Sequence, residues 1–117
     1  MQNKDGNIVS PTSEAFQAAA ANADWSSAPG YGVILANEPG PASWPMTAAT
    51  FILIPKQPRD GAVAASALKF FDWAYTNGGK MAEELDYVPM PTKVVSEIKE
   101  MWTKSITGSD GKPLTSN

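Results

Sequence analysis

The sequence predicts an α/β protein that is rich in helix, with few strands and an incomplete sheet. Three amphipathic patterns and a fourth, shorter one predict helices, whereas only one segment has the clear pattern of a strand. That segment, residues 47–54, ends in the continuous apolar run Phe51-Ile52-Leu53-Ile54. A strand that is apolar on both faces is typical of a parallel sheet covered by helices on both sides.

The predicted helices begin and end at recognisable signals. Ser10-Pro11 gives the first helix a hydroxyl cap and an early proline. Asp60 can cap the second helix, and Asn77-Gly78 is a stop signal at its end. The four predicted helices cover residues 12–23, 61–76, 80–85 and 92–105.

The rest of the chain is predicted to form turns and loops. Asp5-Gly6 and Asp110-Gly111 are strong turn dipeptides, so residues 1–10 are expected to form a short extended segment or hairpin. Residues 25–44 are rich in proline and glycine and are expected to be mostly loop, in which residues 31–35 could form a short strand. A loop of this length usually serves function or contacts other parts of a protein.

The predicted strand at residues 47–54 needs neighbours that the chain does not obviously supply. An isolated pair of strands is barely stable. Burying each apolar side chain of the run stabilises a fold by roughly 1.5–3 kcal/mol, which is lost if the side chains stay in water. We therefore expect the partner strands to lie in a longer parent chain or in another copy of this chain.

Composition excludes several classes of function. Nine Lys and Arg against 12 Asp and Glu give a net charge of −3, which argues against nucleic acid and against a polybasic membrane surface. The chain has no Cys and no His, so thiol nucleophiles, disulfides and Cys/His zinc sites are excluded together. The side chain most often used as a general acid or base near neutral pH is missing as well.

No motif predicts a catalytic or metal site. Glu83, Glu84 and Asp86 are adjacent acids that point in different directions on a short helix, so a solvated surface is expected there. Neither Asp-Gly turn has the spacing of calcium ligands that an EF-hand loop requires, and the sequence contains no phosphate-loop motif. We predict no enzyme, no cofactor and no metal.

Three stretches in order carry a resemblance to a known family. They are WPMTAATFILI at residues 44–54, ALKFFDWAY at residues 67–75, and LDYVPMP at residues 85–91 leading to Trp102. Together they resemble the C-terminal third of the phosphate-binding protein of ABC-type phosphate uptake systems. The residues around Asp5-Gly6, the alanine-rich stretch ending in Ala23-Asp24-Trp25 and the closing DGKPL at residues 110–114 are similar too.

The resemblance implies the C-terminal portion of a two-lobed fold, the type II periplasmic-binding-protein fold. Such receptors are periplasmic, close on inorganic phosphate by a hinge motion and deliver it to the membrane subunits of an ABC permease. By this resemblance, residues 1–46 end the second lobe, residues 47–106 supply a crossover strand and the C-terminal helices of the first lobe, and residues 107–117 are a polar tail.

The phosphate ligands of this family are expected in the N-terminal part of the longer protein, because no position in this chain matches the family's ligand motifs. Trp44, Pro45, Met46 and Thr47 are expected beside the hinge or cleft. Residues 1–10 are polar and predict no signal peptide, so a secreted protein would contain this chain as a mature or internal piece. The alternative is a self-associating interaction module without a small-molecule ligand, and a hydrolase that uses a Ser or Thr nucleophile is a third hypothesis.

Overall fold

The computed structural model describes residues 1–115, and most of the regular structure in that range is helical. The helices are α1 (Ser13–Asn22), α2 (Gly61–Asn77), α3 (Gly79–Glu84) and α4 (Thr92–Ser105), with a 3-10 turn at Pro29–Tyr31. In the described part the only strand-like pairings are two isolated bridges, Gln2 with Ile8 and Thr107 with Pro113. The prediction of a helix-rich chain with few strands and an incomplete sheet is confirmed.

Two compact units make up the described chain. The first contains Met1–Phe51 and Val88–Val94, and the second contains Ile52–Tyr87 and the chain from Val95 onward. The two units are described separately below.

In the first unit, α1 begins after a hydroxyl cap at Thr12, two residues later than the predicted cap at Ser10, and it buries a face of small side chains. The hydroxyl of Thr12 accepts a hydrogen bond from the N–H of Ala15 at 3.3 Å, which satisfies one of the amides that a helix start leaves unpaired. The helix then buries Ala15, Ala19 and Ala20. Because alanine is small, other residues of the unit can pack close to the helix backbone.

Large side chains fill the space beside α1. Trp25 is almost fully buried, and its indole N–H donates to the carbonyl of Ala20 at 2.7 Å. Leu35 and Trp44 are buried as well, and the rings of Phe16 and Trp44 lie 6.3 Å apart, centre to centre. An indole N–H needs a partner when it is buried, so the bond from Trp25 fixes the loop after α1 to the end of the helix.

The second unit is built around α2 and α4. The carboxylate of Asp60 accepts from the N–H of Val63 at 3.0 Å, as the sequence predicts for a cap. At the other end of α2, the N–H of Gly78 donates to the carbonyl of Ala74 at 2.7 Å. A Cβ on residue 78 would lie only 2.6 Å from that carbonyl oxygen, so glycine fits this position best. Both ends of α2 are therefore fixed by local signals.

The core of the second unit joins α2, α4 and the chain after α4. Leu68, Trp102 and Ile106 are buried together. The tail returns to this core, since the N–H of Leu114 donates to the carbonyl of Ile106 at 3.2 Å. The predicted turn at Asp110-Gly111 is present, with Gly111 at φ 75° and the N–H of Lys112 on the Asp110 carboxylate at 3.1 Å. Partly buried side chains that pack against the core are Ile54, Phe71, Ile98, Met101 and Leu114.

Two predicted strands are not formed. Residues 31–35 follow the 3-10 turn as irregular chain, and residues 47–54 make no ladder. Of the apolar run, Phe51 is 48% exposed, Ile52 61% and Leu53 93%, while Ile54 packs against the core of the second unit. A strand needs a neighbouring backbone to satisfy its N–H and C=O groups, and the described residues supply none to this segment. We call residues 51–53 the apolar segment.

Candidate functional site

The predicted hinge residues 44–47 lie at the end of a loop that is tightly anchored within the first unit. Trp44 and Thr47 are buried, whereas Met46 is 61% exposed. The N–H of Trp44 donates to the carbonyl of Ala15 in α1 at 3.0 Å. The hydroxyl of Thr47 donates to the carbonyl of Trp44 at 2.8 Å. The segment that leads into residues 48–54 therefore starts from a fixed position on α1.

Asn3 holds this loop from the other side. Its amide nitrogen donates to the carbonyls of Gly40, Pro41 and Ser43 at 3.1, 3.0 and 3.3 Å. Its amide oxygen accepts from the backbone N–H groups of Asp5 and Asn7 at 3.1 and 3.0 Å. Asn3 is only 6% exposed. One buried side chain thus joins the N-terminal turn to a loop about forty residues later in the chain, and we call it the Asn3 clamp.

Ser43 and Gly40 complete the clamp. The hydroxyl of Ser43 donates to the carbonyl of Pro39 at 2.7 Å and accepts from the side-chain amide of Asn22 at 3.1 Å. Gly40 has φ 113°, and a Cβ there would collide with the amide of Asn22 and lie 2.8 Å from the Ser43 hydroxyl oxygen. A residue with a side chain cannot occupy position 40 without moving both partners.

Neither Asn3, Gly40 nor Ser43 was predicted as a site residue. The only sequence signal at Gly40 is its place in Pro39-Gly40-Pro41, which predicts a loop and no particular contact. The carbonyl of Pro45 also accepts from the N–H of Asn37 at 2.8 Å. The structure therefore brings Trp44, Pro45 and Thr47 into one hydrogen-bonded loop and leaves the side chain of Met46 in solvent.

The perturbed titrating groups have local causes and do not form a catalytic set. The Ser26 hydroxyl and then the Ser27 N–H hold the pKa of the exposed Asp24 carboxyl below its ordinary 3.8. The backbone N–H of Glu14 itself and then the Thr12 hydroxyl lower the pKa of the exposed Glu14 carboxyl from 4.5. Burial raises the pKa of Tyr75. Each shift is what a helix start, a turn or a packed ring produces.

Groups that would hold a metal are missing from the described part of the chain: residues 1–115 contain no cluster of three His, Cys, Asp or Glu side chains in ligating position. Glu83, Glu84 and Asp86 are all exposed, as the sequence predicts for a solvated surface. Arg59 is exposed as well and lies in the chain before α2. The chemistry available at the clamp consists of neutral amides, a hydroxyl and backbone carbonyls, which suits anchoring of a loop.

Comparison with known proteins identifies the relatives of this chain. A protein of Pasteurella multocida named "Phosphate-binding protein PstS" is 50% identical to it over 114 residues, which are 97% of this chain and 33% of the relative. The chain is homologous to one third of phosphate-binding protein PstS. This confirms the predicted resemblance, and the matched share agrees with the predicted C-terminal third.

Further PstS relatives match to a similar extent. The PstS of Haemophilus influenzae is 50% identical over 102 residues, covering 87% of this chain and 30% of the relative. The PstS of Xylella fastidiosa strain Temecula1 is 46% identical over the same length, covering 28% of the relative. The chain thus spans about a third of the length of the PstS proteins that it matches. No family model matches the chain.

None of the described helices combines the length and the apolar character that crossing a membrane would require. The longest, α2, has 17 residues. The two PstS relatives described above are both named as phosphate-binding proteins.

Proposed function

We propose that this chain is the C-terminal section of a periplasmic solute-binding protein that captures inorganic phosphate for import by an ABC transporter. The observation that carries the proposal is the 50% identity to a phosphate-binding protein over 97% of the chain. The exposed apolar segment supports it, because residues 51–53 have the composition of a buried strand but no neighbouring backbone among the described residues.

In this proposal the section supplies scaffold and hinge, and the phosphate ligands belong to the rest of the longer protein. Phosphate is usually held by helix N-termini, hydroxyls and Arg or Lys side chains that converge on one point. The Ser43 hydroxyl at the clamp is already used, as a donor to Pro39 and as an acceptor from Asn22. We therefore assign no phosphate ligand and no enzymatic role to the described residues.

The hinge role falls on the chain that follows the clamp. Trp44 and Thr47 are held by backbone and side-chain hydrogen bonds, so rotation at these two residues would break them. Beyond Thr47, residues 48–50 have no such contact to α1 in this unit. Hinges are formed by a few residues that absorb large changes of φ and ψ. We place the bend just after Thr47 and regard residues 44–47 as its fixed end.

The partners in this proposal are inorganic phosphate, bound through the N-terminal part of the longer protein, and the membrane subunits of an ABC permease. The net charge of −3 is compatible with both, since neither needs a basic surface on this section. The periplasm is the compartment in which such a receptor meets its permease, and a chain with no Cys has no thiol to mispair there.

Calorimetric titration with phosphate tests the proposal. The two samples are this chain and a joined protein, in which the unmatched two thirds of the Pasteurella multocida relative precede residue 1. We expect no heat of binding for the chain alone and one-to-one binding for the joined protein. Sulfate serves as the control anion. Micromolar or tighter phosphate binding by the chain alone would contradict the assignment of the ligands to the missing part.

A further inference from the structure

The junction between α2 and α3 carries a dipeptide with chemistry of its own. Asn77 ends α2, Gly78 follows it, and α3 begins at Gly79. The sequence has asparagine at positions 3, 7, 22, 37, 77 and 117, and only Asn77 is followed by glycine. Asparagine is a thermolabile residue, and glycine has no side chain to shield its backbone nitrogen. Spontaneous loss of the side-chain amide is therefore favoured at Asn77 over the other asparagines.

This deamidation is an attack of the Gly78 backbone nitrogen on Cγ of Asn77, the carbonyl carbon of the side chain. A bond forms between that nitrogen and Cγ, the bond from Cγ to the amide nitrogen breaks, and ammonia leaves with the proton of the Gly78 N–H. Water then opens the resulting cyclic imide at either of its carbonyls. The products are aspartate, which has the normal backbone, and isoaspartate, whose backbone runs through the side chain and is one methylene longer.

Both reacting groups are held by hydrogen bonds in the structure. The N–H of Gly78 donates to the carbonyl of Ala74 at 2.7 Å. The side-chain amide of Asn77 donates to the carbonyl of Trp73 at 3.0 Å. Closing the imide ring rotates the peptide between residues 77 and 78 and turns the amide away from Trp73, so both bonds must break first. The reaction therefore needs the last turn of α2 to open.

This last turn lies beyond a contact that fixes α2 to the core. The ring centre of Tyr75 lies 6.1 Å from that of Trp102 in α4. Thr76 and Asn77, the two residues that follow, are exposed. Helix ends open locally at a free-energy cost well below that of global unfolding. The turn that protects Asn77 is therefore expected to open many times for each unfolding of the whole chain.

We propose that Asn77 is a site of spontaneous deamidation that the last turn of α2 holds closed, and that opening of this turn sets the rate of modification in the folded chain. The contacts that carry this inference all lie within the second unit. It does not depend on the proposed function, and the two can fail separately.

Modification would open the junction for good. Gly78 belongs to both helices, because its N–H donates to Ala74 at 2.7 Å and its carbonyl accepts from the N–H of Ala82 at 2.9 Å. An extra methylene in the backbone at residue 77 displaces Gly78 from both partners. A carboxylate at the C-terminal end of α2 is also unfavourable, since that end of the helix dipole is negative. The isoaspartyl chain should therefore lose the start of α3.

Peptide mapping by mass spectrometry, after incubation at mildly alkaline pH, measures the reaction at each asparagine. One sample is folded, and the other is kept in enough urea to unfold the chain. In urea we expect Asn77 to react before every other asparagine. In the folded sample its rate should be lower by about 5- to 100-fold, because two hydrogen bonds must break first. Equal rates in the two samples, or faster reaction of another asparagine in urea, would overturn the proposal.

A pair of substitutions separates opening of the last turn from unfolding of the whole chain. Ala74→Gly weakens the turn that holds Asn77, and Ala65→Gly is the matched control earlier in α2, at a position that is half-buried as well. Both remove about the same helix propensity. We expect Ala74→Gly to raise the rate at Asn77 in the folded chain about fivefold and Ala65→Gly to leave it nearly unchanged. Equal acceleration by both would place the reaction in the globally unfolded chain and contradict the local opening.

Trypsin tests the consequence for α3, because Lys80 is exposed within that helix. We expect a chain enriched in isoaspartate at residue 77 to be cleaved after Lys80 severalfold faster than the unmodified chain. Asn77→Asp supplies the charge with a normal backbone and should cause a smaller increase. Equal cleavage of the modified and unmodified chains, or equal effects of isoaspartate and Asn77→Asp, would overturn the role given to the longer backbone.

Discussion

Replacing Asn3 by Ala is expected to loosen the loop that carries residues 44–47. The substitution removes an amide that donates to three carbonyls and accepts from two backbone N–H groups. The three carbonyls share the two hydrogens of one NH2 group, so about four hydrogen bonds are lost in effect. At about 0.5–1.5 kcal/mol net for each, the free energy of unfolding should fall by about 2–6 kcal/mol.

Urea unfolding monitored by tryptophan fluorescence measures this loss, because Trp25 and Trp44 are buried in the same unit. Asn7→Ala is the matched control in the same turn: the Asn7 side chain is exposed and makes one long bond, to the carbonyl of Asp5 at 3.4 Å. We expect the control to lie within about 0.5 kcal/mol of the unchanged protein. If Asn3→Ala is no more destabilising than Asn7→Ala, the clamp does not hold the loop.

Three further changes have expected outcomes. Gly40→Ala should lower the free energy of unfolding in urea by about 3 kcal/mol, because the new Cβ, at φ 113°, meets the side chains of Asn22 and Ser43. Gly111→Ala is the control and should cost about 1 kcal/mol, because Gly111 has φ 75° but lies in open space. Equal effects of the two substitutions would refute the steric reason. Leu53→Ser should change the stability of this chain by less than about 0.5 kcal/mol, since Leu53 is 93% exposed. In the joined protein the same substitution should cost about 2 kcal/mol, and a neutral result in that protein would contradict burial of the segment. The carboxylates of Glu14 and Asp24 stabilise the folded chain fully at a pH above their ordinary pKa values of 4.5 and 3.8. This stabilisation is lost as the pH falls through the lower pKa values that the two groups have in the folded chain. Thermal unfolding should therefore show Asp24→Asn losing less stability than the unchanged protein between about pH 6 and about pH 3, and parallel curves would refute the assignment.

Most helices of this fold could be predicted from the sequence because their signals are local. Thr12 and Asp60 accept from the N–H three residues later, and Gly78 follows the end of α2, so each boundary is set by residues within one turn. The structure places α1, α2, α3 and α4 within about one residue of the predicted bounds, which is within the usual uncertainty of helix ends.

The strand at residues 47–54 could not form because a strand depends on partners that are distant in sequence. The pattern of Phe51-Ile52-Leu53-Ile54 predicts a segment suited to burial, and this stays a prediction, because the described residues leave Phe51, Ile52 and Leu53 exposed and supply no strand pairing. The lobe boundaries at residues 46 and 106 remain predictions, as does the hinge role of residues 44–47.

The Asn3 clamp was missed for a related reason. It joins Asn3 to backbone carbonyls 37 to 40 residues away. Every residue has a backbone carbonyl, so the sequence does not indicate which of them accept this side chain. By contrast, the tight turn at Asp5-Gly6 was predictable, since it needs only Gly6 at φ 85°.

Hydrogen exchange at the backbone amides of Ile52 and Leu53 tests most directly whether this chain holds a strand whose neighbours lie elsewhere. In the chain alone we expect both amides to exchange at close to the rate of an unstructured peptide. In the joined protein with phosphate bound, we expect them to be among the slow amides of a central sheet. Strong protection in a monomeric sample of this chain, or fast exchange in a joined protein that binds phosphate, would contradict the central claim.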